Sequence, residues 1–297
     1  LLRLARSTYA SVGGDGMSEI AAAYTSKKHG LRIGYVLVAL LLVMALLGPW
    51  LAPYDSTLVN LDDRLLPASA SHWLGTDHLG RDVLSRLIVG TQLSLGSVVL
   101  VLGLVLVLGV VIGGIAGIVG GKVDMFLMRL CDMFLTFPTL VLAFFLIALL
   151  GTGLTNVIIA IALSHWAWYA RMVRGMVLAQ RNRDYVLASQ LAGASRLTRL
   201  RQHVMPNVVG QLLVLASMDI GHMMLHVSGL SFLGLGVSPP TPEWGVMIND
   251  AKEFIWTQPQ LLLWPGLMIF ISVMAFNLLG DALRDRLDPS VLAEIKE

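Results

Sequence analysis

The sequence holds a single cysteine, Cys131, in 297 residues. That excludes an intrachain disulfide and any metal site built on several thiolates, so Cys131 reads as a small apolar packing residue. Charge is scarce as well. Only 13% of residues are Asp, Glu, Lys or Arg, against about 25% in soluble domains. Hydrophobic residues make up 56% of the chain, and mean hydropathy is +0.75. An ordinary soluble domain is excluded. The net charge of +2 is too small to suggest nucleic acid as a partner. No GxxxxGK[ST] phosphate loop is present, so the chain does not bind ATP by that route. No HExxH motif, no convincing repeat and no signal-peptide cleavage site is present either. The chain opens on Leu1. Met17, which begins MSEIAAAYTSKKHG, reads as a start, and residues 1–16 receive no functional weight.

What the sequence does have is long apolar runs. A spanning helix needs about 20 mostly apolar residues. Residues 33–52 and 93–121 carry no charge and give the first two spans. Residues 133–170 are uncharged but too long for one helix, and Gly151-Thr152-Gly153 divides them into spans at 130–150 and 154–174. Residues 208–236 form the fifth, with Asp219 as the only formal charge, and 261–281 the sixth. With both termini inside, 17 of the 21 Lys and Arg fall on the inner side, leaving Arg64, Arg81, Arg86 and Lys252 outside. The expectation is an all-α membrane protein with six transmembrane helices and both termini cytoplasmic. A cytoplasmic segment 1–32 precedes a core at 33–289. Outer loops lie at 53–92 and 237–260, a cytoplasmic loop at 175–207 and a tail at 290–297.

The fifth span reads SMDIGHMMLHVSG, and its polar residues need a reason. Asp at a helix centre costs about 2.5–3.5 kcal/mol on insertion scales. At about 100° per residue, Asp219, His222 and His226 fall on one face of the helix. Two His at i, i+4 can share one metal ion, and a carboxylate can join them or orient them. The same residues can instead hydrogen-bond each other or a neighbouring helix. His165, in the fourth span beside Trp166, Trp168 and Tyr169, either adds a third nitrogen or is a core histidine. A transport site must release its ion, so any ligation is transient, and protons compete for imidazole. Met218, Met223 and Met224 read as adaptable packing.

Two soluble stretches stand out. DYVLASQLAGASRLTRLRQHVMPN, residues 184–207, reads as a short helix, a break at Gly193 and a second, basic helix stopped by Pro206. Tyr185, Leu187, Ala188 and Leu191 share one face of the first helix. Such a basic loop can simply lie near lipid headgroups. In GTDHLGRDVLSR, residues 75–86, Thr76 or Asp77 can cap a helix whose apolar face holds Val83, Leu84, Leu87 and Ile88. That predicts an interfacial helix on the membrane surface. His72 and His78 either touch a metal at the entrance or are solvated.

The spacing Ala188-Ser189, Gly193, Pro206 resembles the EAA loop of ABC importer permeases. Leu187 stands where that family usually has Glu, and Ser189 where it often has Ala. GTDHLGRDVLSR and LSFLGLG (residues 230–236) resemble motifs of the peptide/nickel branch, and the likeness covers roughly 33–289. The resemblance implies a type I importer permease fold in the bacterial cytoplasmic (inner) membrane. It implies a paralogous permease partner, two cytoplasmic ATPases that bind ATP and Mg, and an extracytoplasmic substrate-binding protein. No cofactor belongs to this chain. Tyr185, Ala188, Ser189, Gly193 and Pro206 would dock on the ATPase, and Asp77, Gly80, Arg81 and Asp82 form a branch-wide outer motif.

Peptide members of the branch usually carry Glu three residues before LSFLGLG, where this chain has Val227. The run GHMMLHVSG is similar to nickel-importing members, as are TGLTNVIIAIALSHWAWYARMVR, EWGVMIND and FISVMAFNLLGDALRDRLDP. This implies nickel, free or chelated, as substrate. Asp219, His222, His226 and His165 become the metal-facing candidates, with His222 and His226 as transient ligands. The other readings are a di/oligopeptide or metal-opine importer, a membrane metalloenzyme, and a structural subunit without substrate contacts.

Overall fold

The computed structural model describes residues 14–287, with side chains from 32 to 284. The expected tail at 290–297 and residues 1–13 of the expected N-terminal segment lie outside the described residues. All regular structure among the described residues is helical, apart from one isolated antiparallel bridge between Thr76 and Asp82.

Helix α1 spans Gly14–Leu51 and α2 spans Val83–Val119. Asp82 caps α2: its Oδ2 accepts from the Ser85 amide at 2.8 Å and the Ser85 hydroxyl at 2.7 Å. Neither Thr76 nor Asp77 serves as the cap, and no separate interfacial helix forms. Val83 and Leu87 are buried at 1% and 4% exposure, and the helix runs on unbroken to Val119. Nothing between 83 and 119 breaks it: there is no proline, and Thr91 turns its hydroxyl onto its own helix, donating to Leu87 O at 3.0 Å.

Helices α3 (Gly121–Leu135) and α4 (Thr139–Leu150) meet at 87°. The expected span at 130–150 is therefore broken. Pro138 is the reason, because proline lacks an N–H and pushes the preceding residue out of the helical region. The Gly151–Gly153 break falls where expected, with both glycines at positive φ. Helix α5 follows over Leu154–Arg181, α6 over Asp184–Leu191, α7 over Met205–Phe232, α8 over Trp244–Ala251 and α9 over Gln260–Leu287.

Among the described residues, four stretches are long and apolar enough to cross a bilayer: Arg32–Leu51, Val83–Val119, Arg196–Phe232 and Gln260–Arg284. The bent pair α3–α4 makes a fifth if it is one broken span.

Helix α5 packs parallel to α2 along a ladder of small residues. A Cβ at Gly109 would stand 2.6 Å from Tyr169 Cβ, one at Gly113 2.3 Å from Ala170 O, and one at Gly117 2.6 Å from Val177 Cγ1. This i, i+4, i+8 glycine stripe lets two backbones touch, as small residues do in membrane bundles. The answering face of α5 is buried through Val157, Ile161, Ser164, Ala167, Ala170, Val173 and Val177. Helix α3 is strapped to the same helix. Arg174 grips Asp124 with both carboxylate oxygens engaged, and Arg171 pairs with Asp132. Cys131 is fully buried beside Trp166, Ala167 and Ala170, the packing role its composition suggested.

Candidate functional site

Asp219 on α7 reaches across to α5. Its Oδ2 accepts a hydrogen bond from the Tyr169 hydroxyl at 3.0 Å and lies 3.2 Å from His165 Nε2. The His165 contact has the distance of an ion pair without the alignment of a hydrogen bond. Oδ1 faces His222 Nδ1 at 3.6 Å, one turn along α7. A hydrogen bond to a charged group contributes about 1.5–3 kcal/mol, the same size as the cost of placing Asp at a helix centre. The Tyr169 bond thus offsets most of that cost.

The four polar residues are neighbours but do not close into a cage. Asp219 is mostly covered, its side chain 13% exposed, whereas that of His222 is 76% exposed. His226 Nδ1 is buried with no hydrogen-bond partner, within the electrostatic reach of His165, Asp219 and His222. Among the described residues, no group of three or more His, Cys, Asp and Glu is placed to hold a metal ion. His165 stacks on Trp168 at 5.9 Å and meets Tyr169 edge-on at 5.8 Å.

At the α6 end of the bundle, the loop is open. On α6 only Val186 is buried, while Tyr185, Leu187 and Leu191 are exposed, Leu191 to 90%. Ala188 is also exposed and Ser189 is half-buried. The Tyr185 hydroxyl donates to Gln180 Oε1 at 3.0 Å and accepts from Asn207 Nδ2 at 3.1 Å, joining the ends of α5 and α7. Gly193 sits at φ +89°, with its amide on Gln190 O and the next amide on Ser189 O, a helix-ending turn that glycine adopts without strain. Pro206 does not stop a helix. Helical turns from Arg196 widen into a π turn at Leu200–Val204 and continue as α7, with Pro206 in its first turn. The wider turn relieves the clash a proline makes with the preceding turn, and Asn207 Nδ2 takes up His203 O at 3.3 Å.

At the opposite end, the 75–86 stretch builds a buried charge cluster. Arg81 Nε donates to Asp77 Oδ2 at 2.7 Å, and Arg81 Nη2 donates to Asp250 Oδ2 of α8 at 3.1 Å. Arg86 lies 3.4 Å from Asp77 and 3.6 Å from Asp250, and its Nη1 donates to Ser56 O and Pro240 O. Gly80 turns at φ +74°, where a Cβ would strike Asn60 O at 1.7 Å. His72 and His78 are apart in this region. His72 Nδ1 contacts Asp82 Oδ1 at 2.9 Å, and His78 stacks on Phe254 at 5.6 Å. Glu243 caps α8 and takes bonds from the Val246 amide at 3.0 Å and the Ser94 hydroxyl at 3.2 Å, which ties α8 to α2. Burial pushes its carboxyl above the ordinary range, against the pull of the Gly245 and Val246 amides and the Ser231 and Ser94 hydroxyls.

Residues 109–293 match the family described as "Binding-protein-dependent transport system inner membrane component". The chain belongs to that family. Residues 25–68 of this inner membrane component also match the "N-terminal TM domain of oligopeptide transport permease C". It is 60% identical over 271 residues to the "Nickel transport system permease protein NikC" of Escherichia coli (strain K12), covering 91% of this chain and 98% of that one. It is 40% identical over 266 residues to the "Glutathione transport system permease protein GsiD" of Shigella flexneri serotype 5b (strain 8401), covering 89% and 88%. Proteins of this kind are transport subunits rather than enzymes, which sets aside the metalloenzyme reading.

Sequence reasoning put Asp219, His222 and His226 on one face of a helix and left His165 either beside them or in the core; in the inner membrane component His165 and His222 both lie against Asp219. It missed Tyr169 as the partner of Asp219, because a tyrosine fifty residues away carries no local signal. It also missed Asp250 and Glu243, which lie in a loop whose docking on α2 appears only in three dimensions. The glycine stripe at 109, 113 and 117 was readable and went unread.

Proposed function

We propose that this chain is the permease subunit of an ATP-driven importer that moves nickel, as ion or chelate, into the cell. One observation carries the reading. His222 stands exposed on α7, in a stretch long and apolar enough to cross a bilayer, backed by Asp219, and the 60% identical relative is named as a nickel permease. Lipid is a poor neighbour for that polar face, so it faces a path shared with a related permease subunit. His222 and His226 contact the metal transiently, in keeping with a site that must let its ion go. His165 stands behind them through its contact with Asp219.

The membrane arrangement follows. Helix α5, the fourth span in chain order, completes the six, its polar residues covered by α2, α3 and the path, and both termini are cytoplasmic by the distribution of Lys and Arg. The α6 face, with Tyr185, Leu187, Ala188 and Leu191, docks on a cytoplasmic ATPase that binds ATP and Mg. Two such ATPases close on ATP and rock the helices through the loop. A substrate-binding protein delivers cargo at the end bearing the Arg81 cluster and α8. A peptide substrate is the competing reading, favoured by the 40% identical glutathione permease.

Radiolabelled nickel uptake by the whole complex in vesicles, with binding protein and ATP, tests the proposal. Wild type and a His222→Ala/His226→Ala variant run side by side, with peptide and cobalt as competitors. Uptake that collapses in the assembled variant supports the metal path. Uptake that persists makes the histidines structural. Peptide transport without nickel transport overturns the substrate.

A further inference from the structure

We infer that Tyr169 is a positioning residue for the metal path: its hydroxyl pins Asp219 so that the carboxylate orients His222 rather than ligating the metal itself. This rests on the reading of His222 as a substrate contact.

Tyr169 has no freedom to move. It is 0% exposed. Its Cβ is seated where only a glycine, Gly109, allows the two backbones to approach. Its ring meets Trp168 edge-on at 5.0 Å and His165 at 5.8 Å. A hydroxyl on so fixed a ring sets the position of whatever it binds, and it binds Asp219 Oδ2.

With Oδ2 held by Tyr169 and approached by His165, Asp219 has one oxygen left. That oxygen, Oδ1, faces His222 Nδ1 at 3.6 Å. The distance is beyond a hydrogen bond, but His222 is an exposed side chain, and exposed rotamers adjust on the picosecond to nanosecond scale. Closing this gap makes Nδ1 the donor and leaves Nε2 free, pointing away from the carboxylate. A carboxylate behind a metal-binding histidine fixes its tautomer and raises its basicity, and losing such a partner weakens metal affinity about 10–100-fold. Asp219, covered and with Oδ2 engaged, is badly placed to be a ligand. It is well placed to aim one.

Tyr169→Phe removes the hydroxyl and keeps the ring. In the reconstituted complex, the half-saturating nickel concentration should rise about 10-fold or more, by a larger factor than any fall in maximal rate. Asp219→Asn should shift half-saturation in the same direction. The double variant should be no worse than Asp219→Asn alone, because the tyrosine acts through the carboxylate. Multiplicative effects, an unchanged half-saturation, or a fall in maximal rate alone would overturn the inference. Failure of Tyr169→Phe to assemble would make the hydroxyl structural and overturn it too. The His222→Ala/His226→Ala variant separates the two levels. If it transports normally, the histidine reading is what has failed. If it is dead while Tyr169→Phe is normal, only the role of Tyr169 has failed.

Discussion

Arg81 donates to Asp250 across 169 residues of sequence, and the bond is 3.1 Å long. The guanidinium is wholly buried, so the pair fastens the 53–82 loop to α8 with little solvent to screen it. Removing Arg81 takes one hydrogen bond each from Asp77 and Asp250 and leaves both carboxylates with Arg86 alone, 3.4 and 3.6 Å away. Arg81→Ala should destabilise the subunit by about 3 kcal/mol, read as a lower unfolding midpoint in detergent. A shift no larger than that of a surface arginine such as Arg64→Ala would show that the cluster is not structural.

Two adjacent glycines on α2 should differ in tolerance. A Cβ at Gly113 would press to 2.3 Å from Ala170 O, whereas one at Gly114 meets nothing within 4 Å. Overpacking of this kind costs about 1–3 kcal/mol. Gly113→Ala should therefore lower thermal stability and yield, and Gly114→Ala should leave both near wild type. Equal behaviour of the two would mean that α2 and α5 are not in contact along this stripe.

The pH dependence of stability should carry a mark of Glu243. Burial raises its folded value above the ordinary 4.5. The protonated form is favoured in the fold, so this contribution to stability is complete below about 4.5 and fades as pH rises through the raised value. Glu243→Gln keeps a neutral side chain at that place. Midpoints measured from about pH 5 to about pH 8 should fall less with rising pH in the variant than in wild type. Parallel curves would contradict the burial argument.

Leu191 is 90% exposed and does nothing for the subunit's own packing. Under the proposed docking of α6 on an ATPase, Leu191 should matter there alone. Leu191→Asp should fold and assemble in the membrane normally, yet lose about 2 kcal/mol of docking, more than tenfold in affinity. Co-purification of the ATPase and transport-coupled ATP hydrolysis would report the loss, and full coupling in the variant would remove α6 from the docking surface.

Much of this molecule was legible in its sequence, and the legible part has one physical origin. A bilayer demands continuous apolar runs with internally satisfied backbones, so composition and run length alone disclose the helices, while polar extensions hide several ends, as where α2 starts at Val83 and α5 runs on to Arg181. Gly151 and Gly153 mark a break because glycine reaches positive φ freely. The polar residues 165, 219, 222 and 226 stand out because the same solvent penalises them. Local rules failed where two signals competed. Pro206 looked like a stop, but the π turn at Leu200–Val204 carries the helix through it. Asp82, not Thr76 or Asp77, caps α2, because the loop before it folds back on itself through Asp77 and Arg81.

The sequence by itself determined that this chain lives in a membrane as a bundle of helices, and which polar residues interrupt its apolar runs. Only the tertiary structure decided what those residues touch. Tyr169 meets Asp219, Arg81 meets Asp250, and Glu243 meets Ser94, each pair brought together by helix packing that the glycine stripe and the loops set. Hydropathy is a property of each residue and its near neighbours. A hydrogen bond between residues fifty or more apart depends on which faces of which helices come together.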